Sequence, residues 1–154
     1  MRTARDDELE HGLSDADFRR LLMLRDGLRR FLRWSSEQAE HAGLTAAQHQ
    51  LLLVVRAHDD PLGPTIGDVA DHLLLRHHSA VELVDRASSA GLVRRRADPD
   101  DQRSVRLELT PLGRERLAEL TEAHMEELKR MRGTLRLLWD GLEVPTRSTS
   151  AGRC

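Results

Sequence analysis

Along most of this chain apolar residues recur at steps of three and four, the period of a helix with one buried face; in one short stretch they alternate instead. Phe18, Leu21, Leu24, Leu28, Phe31 and Leu32 predict a long amphipathic helix, capped by Ser14 or Asp15, that runs to about Glu40 and stops at Gly43. Thr45 then caps a strongly apolar helix carrying Leu51, Leu52, Val54 and Val55, and the run from His58 to Pro64 reads as a turn. Thr65 and Asp68 form a capping box ahead of Ile66, Val69, Ala70 and Leu73, a short helix. Another begins near Arg76 and buries Ala80, Val81, Leu83, Val84 and Ala87; Gly91, suited to a left-handed backbone, ends it. From Leu92 the chain is extended, Asp98-Pro99-Asp100-Asp101 turns it, and Val105, Leu107 and Leu109 alternate with polar residues in a return strand from Ser104. Thr110-Pro111 opens a last helix, in which Leu117, Leu120, His124, Leu128, Met131, Leu135 and Leu138 form a near-heptad seam.

Two short helices separated by a few residues, followed by a two-stranded ribbon, make a winged helix-turn-helix. The expected fold is mainly α with a small β-wing. A single domain spans 14–143, with the winged helix-turn-helix lobe at 44–110 and dimerisation helices from both termini at 14–42 and 111–140. Terminal seams this apolar exceed what one small lobe needs, so they predict a homodimer. The polar stretch 1–13 reads as a flexible arm and 144–154, rich in Ser, Thr, Arg and Gly, as a disordered tail.

Composition narrows the partners. The whole chain is formally −2, yet between Arg76 and Arg116 nine arginines face seven acids, which points to where a polyanion would sit. The outer face of the helix near Arg76 presents Arg76, His77, His78, Ser79, Glu82 and Arg86, and the ribbon adds Arg94, Arg95, Arg96 and Arg103. A helix of this kind fits the major groove of double-stranded DNA, and the ribbon can reach phosphates or an adjacent groove. Because side chains alternate along a strand, Arg94, Arg95 and Arg96 cannot all face the duplex. Cys154 is the only cysteine, so no internal disulfide forms and a cytoplasmic setting is expected. No apolar run is long enough for a membrane span. An enzyme is not expected: there is no nucleophile with a paired base, no phosphate-binding glycine loop and no tyrosine. The eight histidines lack ligand spacing, since His77 and His78 point different ways and His72 is not four residues from either; no metal or other cofactor is expected.

These residues resemble the MarR/SlyA-type winged-helix transcriptional regulators. The most specific match is Asp101, Arg103, Leu107, Leu109, Thr110 and Gly113, which fill the pattern D-x-R-x-x-x-L-x-L-T-x-x-G, and Leu83-Val84-Asp85-Arg86 with Gly91-Leu92-Val93-Arg94-Arg95 is similar to the end of the recognition helix and the first wing strand. The resemblance implies a homodimer on a pseudo-palindromic operator, a repressor released by a small aromatic or phenolic effector. It makes Arg103 the minor-groove finger, with Asp101 as wing support posing its side chain, and Arg33, Trp34 and His41 candidates for the effector pocket. Two plainer alternatives stand beside these roles: Arg103 salt-bridged to Asp101 across an exposed turn, and a dimeric interaction module that has a winged fold without specific DNA binding.

Overall fold

The computed structural model describes residues 13–101 and 103–139. The expected arm 1–13, save Leu13, and the tail 144–154 with Cys154 lie outside that range. The order of elements is α1 (Asp15–His41), α2 (Ala46–Ala57), α3 (Ile66–Leu73), α4 (His77–Ser89), β1 (Val93–Ala97), β2 (Val105–Leu109) and α5 (Pro111–Trp139). The chain divides into two units, one from Phe31 to Glu127 and one that comprises, of the described residues, 13–30 and 128–139.

The central unit holds the core. α2, α3 and α4 pack on one another, α4 also packs on β1, and β2 lies against α2 and α3. Leu51, Leu52, Val69, Val84 and Leu107 are fully buried at its centre, with Ala80, Leu83 and Ala87 closing the inner face of α4. These are the positions that period 3.6 in the helices and period 2 in the strand put on one side. Leu117 and Leu120 extend this core into α5.

Local chemistry sets the ends of the elements. Thr45 and Thr65 each accept the N–H three residues on, from Gln48 and Asp68, whose side chains accept the threonine N–H in return. The hydroxyl of Thr110 accepts the N–H of Gly113 at 3.0 Å and donates to the carbonyl of Gly91 at 2.6 Å, so one side chain caps α5 and ties it to the exit of α4. Gly113 has to be glycine, because a Cβ there would stand 2.0 Å from the carbonyl oxygen of Leu92. α4 ends at Ala90 with Gly91 left-handed at φ +71°, as its sequence implies. α3 ends otherwise: Leu74 takes the left-handed conformation, φ 53°, ψ 41°, usually left to glycine or asparagine.

The strands pair antiparallel, Val93 opposite Leu109 through Ala97 opposite Val105. Val93, Leu107 and Leu109 point inward, while Arg94 and Arg96 share the other face. The terminal unit has another character. Phe18, Leu21 and Leu28, from the predicted seam of α1, are about half exposed, as is Leu32 of the same seam where α1 passes into the central unit, and Leu128 of α5 is exposed too. Among the described residues no helix is long and apolar enough to cross a membrane.

Candidate nucleic-acid interface

The wing is anchored by one half-buried cation. Arg106 is only 17% exposed; its Nε donates to Asp98 Oδ2 at 2.6 Å, and its Nη1 donates to Asp60 Oδ2 at 2.9 Å and to the carbonyl of Gly63 at 3.0 Å. Asp98, itself buried, also accepts the N–H groups of Asp100 and Asp101 through Oδ1. A single carboxylate thus folds the turn at the wing tip and binds the cation that fastens both strands to the loop between α2 and α3. The hydrogen bond from Arg106 holds the Asp98 carboxyl below the usual carboxylate range, helped by the Asp100 N–H, and Asp98 in turn raises Arg106 above its ordinary value. Backbone contacts complete the junction: the Leu107 N–H donates to Pro64 O at 2.9 Å. Gly63, at φ +83°, leaves no room for a Cβ, which would meet the Leu107 oxygen at 2.2 Å.

Asp101 does not act as expected. Its Oδ1 accepts the backbone N–H of Arg103 at 3.0 Å and its Oδ2 the hydroxyl of Ser104 at 2.7 Å, which lowers its own carboxyl pKa, the Ser104 bond chiefly. Its oxygens are spent on the backbone and hydroxyl of the turn, so it supports the wing without posing the guanidinium. Neither that pose nor the Asp101–Arg103 salt bridge forms. The Arg103 side chain is exposed and has no partner among the described residues. It lines a cleft of about 330 Å³ with Ser104, Thr65, Gly67 and His77, between the wing and the starts of α3 and α4.

α4 presents Arg76, His77, His78, Glu82 and Arg86 to solvent, with Ser79 half-buried. Arg76 is the N-cap and makes no side-chain capping bond. Glu82 and Arg86 approach to 3.9 Å, both about two-thirds exposed, a pair worth little in water. The three successive arginines separate by partner. Arg95 reaches across to Asp85 of α4 at 2.6 Å, Arg94 binds Glu108 at 2.6 Å on the opposite face, and Arg96 is exposed with no hydrogen bond. Alternation had limited how many could face a duplex; the acids at 85 and 108 explain where two of them go.

The three residues considered for an effector pocket separate as well. Trp34 joins an aromatic group, 6.0 Å from Phe31 and 4.8 Å from the ring of His124, which itself lies 4.7 Å from His49. Arg33 is exposed and bound to Glu37 at 3.0 Å, and His41 is exposed. The buried His49 and the Ser35–His124 hydrogen bond of 2.7 Å were not foreseen from sequence, nor were Asp98, Arg106 and Asp60. No group of three or more His, Cys, Asp or Glu among the described residues is arranged to hold a metal.

The sequence model of the MarR family matches residues 42–104, from the exit of α1 to the end of the wing turn. No curated protein matches the chain significantly. Among solved structures, a MarR-family transcriptional regulator from Silicibacter pomeroyi is 26% identical, with 76% of this chain and 85% of that one covered and a TM-score of 0.57. A mutant of Staphylococcus aureus MepR bound to an oligodeoxyribonucleotide is 19% identical, covering 79% and 96%, at a TM-score of 0.62. BpsR of Bordetella bronchiseptica, whose DNA binding is regulated by 6-hydroxynicotinic acid, is 23% identical, covering 78% and 83%, at 0.54. Sequence over the winged lobe and fold over about three quarters of its length agree: the lobe is similar to the MarR family, and the chain has the winged-helix fold of the MarR-family regulators it resembles.

Proposed function

We propose that the protein is a cytoplasmic homodimeric repressor that lays α4 in the major groove of a pseudo-palindromic operator and places Arg103 in the neighbouring minor groove. The observation that carries this reading is the unpartnered guanidinium of Arg103 at the tip of a wing whose base is fastened to the helix-turn-helix by Arg106. A free guanidinium on a rigid ribbon suits the negative potential of a narrow A·T-rich minor groove. Arg76, His77, His78 and Ser79 meet base edges or phosphates, Arg86 and Arg96 meet phosphates, and Glu82 is placed to accept from a cytosine amine. Arg95, bonded to Asp85, braces the wing on α4, and Arg94 is engaged by Glu108. MepR crystallised with DNA, and the control of BpsR by an aromatic acid, support the same two activities here, with Trp34, Arg33 and His41 as the residues proposed to meet the effector.

Fluorescence anisotropy with DNA from beside the protein's own gene, at several salt concentrations, tests the reading. Sequence preference, with affinity falling steeply as salt rises, is the expected result. Arg103→Ala should weaken binding about tenfold or more while dimer and melting temperature stay unchanged. A weak response to salt with no sequence preference would instead identify an interaction module. Addition of an aromatic acid panel should release the DNA; unchanged affinity across the panel would remove the effector from this proposal.

A further inference from the structure

On the side of the wing that carries Arg96 and Glu108, the central unit has a cleft of about 300 Å³ between the end of α2, the loop after it and β2. A second cleft of about 390 Å³ runs on from it along the first turns of α5. Arg56, Leu109 and Arg114 line both, so the two are neighbouring compartments of one groove. Each is as large as a small-molecule site needs to be.

The two compartments differ in chemistry. The floor of the first is apolar, from buried Val55 and Leu107, and its rim carries Arg56, Arg96 and Arg114. Its acids are committed elsewhere: Asp60 holds Arg106, and Glu108 holds Arg94. Arg114 spends one N–H on the carbonyl of Leu109, Arg96 makes no hydrogen bond, and the guanidinium of Arg56 has no partner among the described residues. Glu108 also faces Arg96 and Arg114, so positive charge at this end is offset only in part and Arg56 supplies the uncompensated cation. The second compartment is walled by Leu117, Ala118 and Thr121, and the hydroxyl of Thr121 is satisfied by Leu117 O at 2.7 Å, which leaves its methyl for packing. Glu122 stands in that compartment, so an anionic head cannot lie there and must point toward Arg56.

We infer that this groove binds a small amphipathic anion, with a carboxylate between Arg56 and Arg114 and an unbranched apolar tail along Leu117, Ala118 and Thr121. Charge complementarity selects the head, since a guanidinium pairs with a carboxylate through parallel hydrogen bonds. Leu117, Ala118 and Thr121 succeed one another along a single turn of α5, so an unbranched chain laid beside that helix meets all three. The site is separate from Trp34, Arg33 and His41 and does not depend on DNA binding. Because Arg96 and Glu108 come from both wing strands, an occupant also touches the ribbon that carries Arg103.

Isothermal titration calorimetry of the full-length protein with decanoate, kept below its micelle concentration, tests this, with acetate and 1-decanol as head-only and tail-only controls. The expected result is saturable binding of one decanoate per chain, at least tenfold tighter than either control. Arg56→Gln and Ala118→Glu should each weaken it tenfold or more, while Arg30→Gln, an equal change of charge elsewhere, should not. All of these positions are exposed or partnered only on the surface, and unchanged circular dichroism and melting temperature would verify that the variants fold. Absence of saturable binding would overturn the inference. So would decanoate binding that ignores both Arg56→Gln and Ala118→Glu, which would place the fatty chain on the exposed apolar face of α1 instead.

Discussion

Leu74 is an expensive choice at its position. The left-handed conformation costs an L-residue with a Cβ about 1–2 kcal/mol, and at 93% exposure this side chain recovers nothing by burial. Glycine removes the strain and adds some entropy to the unfolded chain, so Leu74→Gly should stabilise the protein by roughly 0.5–1 kcal/mol in urea unfolding. A loss of stability would mean that Leu74 makes contacts the monomer does not reveal, in a second copy or on DNA. Gly113 is the reverse case. Its missing Cβ lets α5 start against the carbonyl of Leu92, so Gly113→Ala should cost at least about 2 kcal/mol, measured the same way. His49 supplies the pH dependence. Burial, with the nearby His124 adding to it, lowers its pKa from 6.5 to about 4, so between those values the unfolded chain binds a proton that the folded chain does not. Stability is then complete above the unfolded value and falls as pH drops through the window. From pH 7 to pH 5 the loss attributable to His49 should be about 1–2 kcal/mol, and His49→Leu should flatten that part of the urea midpoint against pH.

At the scale of elements, the helices and strands could be read from the chain because their determinants are local. The stripe on α4, the threonine caps at 45, 65 and 110 and the exit at Gly91 all act within a few residues, and the structure follows them. The end of α3 escaped because no glycine marks it; a leucine is strained into that role. Of the candidate site, the motif names Asp101 and Arg103 directly, whereas partners distant in sequence leave no such mark. Asp98, read as a turn residue, and Arg106, one polar position in an alternating strand, lie eight residues apart, and Arg106 reaches Asp60 across 46. Nothing local announces such a triad. Asp101, which stands beside Arg103 in the motif, holds the turn and not the guanidinium for a similar reason, because the turn N–H groups and the Ser104 hydroxyl compete for its oxygens and win. Since one guanidinium ties strand, turn and loop, Arg106→Leu should loosen the wing more than the helices. Amide exchange should speed at Asp100, Asp101 and Leu107, whose N–H groups are held at this junction, while amides in the middle of α2 keep their protection. Uniform loss of protection through α2 would show that the triad holds the whole lobe and not the wing alone.

For the whole molecule, the question is what covers α1. Phe18, Leu21, Leu28 and Leu32 are each about half exposed at helical spacing, a stripe far too apolar for a helix surrounded by water. A second copy is the occupant the sequence itself suggests, because a two-fold axis sets the same stripe against itself and gives an operator reader the paired half-sites, about 34–36 Å apart, that a palindrome requires. Sedimentation should therefore find a dimer at micromolar concentration. The doubly substituted Leu28→Asp, Leu32→Asp chain should sediment as a monomer with its helix content kept, since neither side chain is buried in the central core. Its affinity for a half-site should survive, while its affinity for the full operator should fall by about a hundredfold or more as the second lobe is lost, in the way that linked binding modules lose avidity on separation. Dimers that persist in this variant would move the interface away from the middle of α1. Monomers that still bind the full operator with undiminished affinity would separate DNA recognition from symmetry altogether, leaving α4 and the free Arg103 to do alone what two copies are proposed to do together.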